Sequence, residues 1–151
     1  MDVLKRILLV EDSTADAELA MLGLAEYHLA NEILHVRDGV EAVDYLYRRG
    51  PFAGRPEGQP ALVLLDLKVP RLDGTEVLRQ LKADPEMQKI PVVVMTSSRE
   101  DGDLHRAYGL GANAYVVKPV KFHELVDAVK QVGGFWGVLN EPPPGTVQRS
   151  M

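Results

Sequence analysis

The chain reads as an α/β protein built on an open, doubly wound parallel sheet of five strands, and two features of the sequence predict it. Five short aliphatic or β-branched runs alternate with segments whose apolar residues recur at helical spacing. Three of those runs are apolar throughout, as strands are when helices cover both faces of a parallel sheet.

The first run, "ILLV" at 7–10, leads into a helix marked by Leu19, Leu22 and Leu29 and announced by Ser13-Thr14-Ala15-Asp16, a capping-box pattern. "EILHV" at 32–36 precedes a helix marked by Val43, Leu46 and Tyr47. "ALVLL" at 61–65 precedes one marked by Val77, Leu78 and Leu81, with Asp73-Gly74 as the turn that starts it. "IPVVVMT" at 90–96 precedes a helix marked by Leu104, Ala107 and Tyr108. After "AYVV" at 114–117, a fifth helix carries Phe122, Leu125, Val126, Val129 and Val132. Each crossover to a parallel strand is right-handed, so such a series lays helices on both faces of one sheet.

Sheets of this kind place their chemistry beyond the carboxyl ends of the strands. Glu11-Asp12 stands at the end of strand one, Asp66 at strand three, Thr96-Ser97 at strand four and Lys118-Pro119 at strand five. Strand two ends less distinctively, at Arg37-Asp38-Gly39. Three carboxylates, a hydroxyl and an ammonium therefore share one edge. Two carboxylates 4 Å apart repel by about 4 kcal/mol at an effective dielectric near 20, which a cation relieves. Oxygen ligands without His or Cys point to Mg²⁺, with Mn²⁺ an acceptable substitute. Asp12 and Asp66 are expected to ligate it directly, and Glu11 through a bound water. Lys118 is then a point charge for a phosphate, Thr96 a hydroxyl donor, and Asp66 a carboxylate able to attack phosphorus.

These residues carry a resemblance. "ILLVEDS", "LVLLDLKVPRLDG", "IPVVVMTSS" and "GANAYVVKPV" resemble the receiver domain of bacterial two-component response regulators from about Lys5 to about Val132. The resemblance implies a flavodoxin-like sheet of order 2-1-3-4-5 and Mg²⁺-dependent phosphoryl transfer from a kinase histidine to Asp66. It implies Asp12 and Asp66 as metal ligands with Glu11 as the outer acid, and the backbone carbonyl of Lys68 as a third protein ligand. Lys118 becomes the phosphate partner, Thr96 the switch hydroxyl, and Tyr115 the aromatic that moves with it. Pro119 is expected to follow a cis peptide bond. The surface of the fourth helix, fifth strand and fifth helix is expected to report the state, commonly by homodimerisation. The connector "GPFAGRPEGQP", the "KPV" after strand five and "FWGVLN" near the chain end are similar to single-domain regulators that partner bacterial phytochromes. The implied partner is a sensor histidine kinase, a bacterial phytochrome on that closer likeness.

Other motifs fail on context. "GLGANA" at 109–114 matches a dinucleotide fingerprint but follows a helix and precedes a strand, so it reads as a helix end and turn. "HELVD" at His123 lacks the second zinc histidine. His28, His35 and His105 share no ligand spacing. The connector from Gly50 to Pro60 lacks the G-K-[ST] ending of a phosphate loop and reads as a surface loop.

Two other function classes fit less well. A phosphatase of the haloacid dehalogenase type also uses an Asp at a strand end, but it places a second acid two residues on, where this chain has Lys68. A phosphorylation-independent interaction module does not need the acids, Thr96 and Lys118 together.

Composition narrows the setting. With 151 residues and 46% hydrophobic content, one domain with a sizeable core is expected. A net charge of −5 gives no general attraction to nucleic acid or anionic membrane. The absence of cysteine excludes disulfides and thiolate chemistry. The N-terminus lacks a signal-peptide core, and a cytoplasmic protein is expected. Residues 1–134 are assigned to the receiver and 135–151 to an extension. There Phe135, Trp136, Val138 and Leu139 form an apolar cluster, followed by a Pro-rich polar stretch expected to be disordered. The cluster is expected either to support a homodimer interface or to pack on its own domain as a continuation of the fifth helix.

Overall fold

In a computed structural model, which describes residues 6–26, 32–97 and 106–132, five parallel strands pair in the order β2-β1-β3-β4-β5. The strands are β1 (Arg6–Val10), β2 (Glu32–Val36), β3 (Leu62–Asp66), β4 (Val92–Thr96) and β5 (Ala114–Val117). The helices are α1 (Thr14–Glu26), α2 (Gly39–Leu46), α3 (Gly74–Ala83) and α5 (Phe122–Gln131), with 106–109 the described helical part of α4. This is the expected doubly wound, flavodoxin-like order.

The two faces follow from the period-two alternation of strands. Ile7, Leu9, Leu62, Leu64, Val93, Met95, Ala114 and Val116 face α1 and α5. Leu8, Val10, Val63, Leu65, Val92 and Val94 face α2, α3 and Ala107 of α4. The three central strands are buried on both sides, which is why their sequences show no polar alternation.

Several expectations need correction. In α1 the buried side chains are Ala17, Ala20 and Leu24, whereas Leu19 and Leu22 are 38% and 61% exposed. Small residues at that spacing let the helix lie close to the sheet and turn the larger leucines outward. β4 begins at Val92; Ile90 closes a short 3₁₀ turn (Met87–Lys89) before it. β3 includes Asp66 as its last residue. In α5, Leu125, Val126, Val129 and Val132 are buried, but the helix stops at Gln131 with Val132 extended. Leu29, Leu104, His28, His105 and the cluster from Phe135 to Leu139 lie outside the described residues.

The turn before α3 bears on the site. Asp73 caps the helix by accepting from the Thr75 amide at 2.7 Å, and Gly74 donates to the Leu67 carbonyl at 2.9 Å. The connector after α2 is organised by Arg55, which donates to the carbonyls of Tyr45, Pro56 and Gly58 at 2.7–2.8 Å and lies over the Tyr45 ring. Gly111 ends α4's turn at φ 105°, as the reading of "GLGANA" as a helix end expects. No described helix is long and apolar enough to cross a membrane.

Candidate functional site

Each candidate side chain stands at, or within two residues of, the carboxyl end of a strand. Glu11 extends the β1 ladder by one residue, its amide donating to the Val36 carbonyl at 3.0 Å, and its side chain is buried. Asp12 follows and is exposed. Asp66 ends β3 and is 5% exposed. Thr96 ends β4, fully buried, and its carbonyl accepts from the Lys118 amide at 2.8 Å. Lys118 follows β5 and precedes Pro119 through the expected cis peptide bond.

Carboxylate oxygens of Glu11, Asp12 and Asp66 lie within 4.8 Å of one another. Asp66 Oδ1 accepts from the Lys68 amide at 3.0 Å, and Oδ2 accepts from Lys118 Nζ at 2.9 Å. The Lys68 side chain itself is exposed. Lys118 Nζ also lies 2.5 Å from Glu11 Oε1, although no donor is aligned on that buried oxygen as a hydrogen bond. Glu11 Oε2 accepts from the Ser13 amide at 3.1 Å.

The electrostatics follow from burial and crowding. Burial pushes the Glu11 carboxyl up to about 7, and the charge of Asp66 adds to that against the opposing pull of Lys118 and the Ser13 amide. Burial works against the Lys118 ammonium, but the nearby carboxylates of Glu11 and Asp66 outweigh that and raise its pKa. An oxygen-only set of crowded carboxylates fits a hard divalent cation.

One neighbour was not predicted. Asp16 Oδ2 lies 3.1 Å from Lys118 Nζ. Ser13-x-x-Asp16 reads as a capping box, yet only half of that box forms: Ser13 Oγ accepts from the Asp16 amide at 3.2 Å, while the Ser13 amide goes to Glu11. A competing acceptor next to the cap is not visible in a linear pattern. His35, which has no ligand spacing to other histidines, has Nε2 2.7 Å from the Glu11 carbonyl. Tyr115 is half-buried and packs edge to face on Tyr108 at 5.5 Å. Val94 pairs with Tyr115 and Thr96 with Val117, so Tyr115 and Thr96 share a sheet face.

A doubly wound sheet whose strand ends gather these carboxylates around one ammonium matches the model of the response regulator receiver domain over residues 7–130, and the chain belongs to that family. Receiver domains are signalling phosphoacceptors that bind a divalent metal and act with sensor histidine kinases. Among its relatives is the probable methanogenesis regulatory protein FilR2 of Methanothrix harundinacea, 42% identical over 91% of this chain and 86% of that protein. Among solved structures, the bacteriophytochrome response regulator RtBRR is 53% identical, with a TM-score of 0.84 over 95% of this chain and 86% of that one. The Mn²⁺-bound form of response regulator Rcp1, a protein of Synechocystis, is 37% identical with a TM-score of 0.75, over 93% of this chain and 99% of that one. The chain is thus a response regulator related to those of phytochromes.

Proposed function

We propose that Asp66 accepts a phosphoryl group from a histidine of a sensor kinase in a Mg²⁺-dependent reaction. The observation that carries this is the meeting of Asp66, Lys118 and the Glu11-Asp12 pair at one sheet edge. An Asp66 carboxylate oxygen bonds to phosphorus as the P–N bond breaks, and the electron pair leaves on the imidazole nitrogen, which takes up a proton. Water attack on phosphorus later returns the carboxylate and inorganic phosphate. Asp12, Asp66, the Lys68 carbonyl and, through water, Glu11 would hold the Mg²⁺, which when bound neutralises charge on the phosphoryl oxygens. Lys118 meets the same oxygens as a point charge.

Thr96 and Tyr115 form the switch in this reading. A hydroxyl drawn toward the phosphoryl group leaves room on its sheet face, and Tyr115 is the mobile aromatic beside it. Tyr115 and Tyr108 border a surface hollow with Pro119, Lys121 and Glu124, a face on which a partner reads the state. The likeness to the bacteriophytochrome response regulator RtBRR supports a bacterial phytochrome as the kinase. The receiver occupies 1–134, in keeping with a family match that ends at 130 and α5 ending at Gln131, and works in the cytoplasm.

Two outcomes are expected. Incubation with a small phosphodonor and Mg²⁺ labels the protein, and chelation of the metal lowers the initial rate by at least about 100-fold. A chelator-insensitive rate would count against a metal-assisted acceptor. The extension 135–151 supports a homodimer, because aromatic anchors such as Phe135 and Trp136 are enriched at interfaces. Its removal leaves a folded, phosphorylatable domain whose self-association, measured by sedimentation, is weakened, and Trp136 emission shifts red on dilution of the intact chain. An unchanged dimer constant would mean the extension packs on its own domain.

A further inference from the structure

Lys118 Nζ is shared by three carboxylates: Glu11 at 2.5 Å, Asp66 at 2.9 Å and Asp16 at 3.1 Å. An ammonium has three N–H donors and here faces three carboxylates, of which Asp66 meets it in hydrogen-bond geometry and the other two as close ion pairs. Two of them have other roles in the function proposed above, since Asp66 is the acceptor and Glu11 faces the cation. Asp16 has neither role. It stands in the first turn of α1 and is not among the three residues whose oxygens converge as a cation site. Helix capping does not account for its carboxylate either, because the Ser13 amide, which a capping-box acid would accept, is taken by Glu11.

Phosphorylation changes this balance. As an acyl phosphate Asp66 loses its carboxylate charge to the phosphoryl oxygens, and a bound cation draws on Glu11 and Asp12. The carboxylate left to Lys118 is then Asp16. A lysine is a point charge on a flexible four-carbon stem, and it acts on a transferring group only if something holds it in place.

We propose that Asp16 is a positioning residue for Lys118, holding the ammonium where the phosphoryl oxygens arrive and so setting the rate at which Asp66 is phosphorylated. The inference rests on the acceptor role proposed for Asp66. It also carries a sign that separates it from bulk electrostatics. Deleting a negative charge should speed attack on an anionic donor if only the local field matters, whereas releasing Lys118 should slow it.

The test combines Asp16→Asn and Lys118→Ala in a double-mutant cycle on the full chain. Asn keeps the volume and the amide that Ser13 caps, and thermal melting checks the fold. In metal-free, unphosphorylated protein the ¹⁵N ammonium signal of Lys118 is expected to be sharp in the parent and broadened by faster exchange in Asp16→Asn. With phosphoramidate and saturating Mg²⁺, Asp16→Asn is expected to label about fivefold more slowly where Lys118 is present, and to change the rate by less than about twofold in the Lys118→Ala background. An unchanged or faster rate, an equal loss in both backgrounds, or an unaltered ammonium signal would overturn the inference and leave the acceptor role standing. A parent protein that takes no label would overturn the acceptor role and this inference with it.

Discussion

Asp66→Asn is expected to take up phosphoryl label at least about 100-fold more slowly than the parent, because an amide lacks the nucleophilic oxygen that must bond to phosphorus. The fold is expected to survive. The substitution is nearly isosteric, Asn retains an oxygen to accept from the Lys68 amide, and Lys118 keeps Glu11 and Asp16 as partners. Four acidic side chains, Glu11, Asp12, Asp16 and Asp66, crowd this corner, so the loss of one charge should leave the melting temperature unchanged or raise it. The measurement is labelling by a small phosphodonor alongside a thermal melt. A variant that melts like the parent and still labels at the parental rate would place the acceptor elsewhere.

Gly74→Ala is expected to damage both the fold and the site. A Cβ at Gly74 would stand 2.3 Å from the Asp66 carbonyl oxygen and 2.6 Å from Leu67 Cα. Both are backbone atoms of the strand end that carries Asp66, so no side-chain rotation relieves the clash. Overpacking of this kind costs about 3 kcal/mol, which exceeds the gain of about 0.5–1 kcal/mol that Ala brings to a helix. A chemical denaturation midpoint reads the stability loss, and the amide shifts of Asp66 and Lys68 read the displaced strand end. Denaturation and shifts like those of the parent would show that the β3–α3 turn is looser than its packing indicates.

The strands are legible in the sequence because they are buried on both faces: Leu62 to Leu65 and Val92 to Met95 have no polar residue among them. Strand ends are legible for the opposite reason, since Asp66, Thr96 and Lys118 interrupt apolar runs with polar groups. The phase of α1 is not legible from its leucines. Ala17, Ala20 and Leu24 face the sheet because close approach favours small residues, and the exposure of Leu19 and Leu22 depends on that approach. Asp16 escapes a linear reading for a related reason. Its local pattern reads as capping, and its partner Lys118 is distant in sequence and follows β5, which β3 and β4 separate from β1, so the two meet only through the sheet's order and a long side chain that reaches back. The burial of Glu11 beside an exposed Asp12 is likewise a product of strand phase.

The most direct test of the central claim is to find the atom that carries the phosphoryl group. Borohydride reduces an aspartyl phosphate to homoserine, which peptide mass spectrometry locates. After labelling in Mg²⁺, homoserine is predicted at position 66, in proportion to label incorporated, and absent from the Asp66→Asn variant. Homoserine at position 12 or 16, or label without homoserine at 66, would contradict the account.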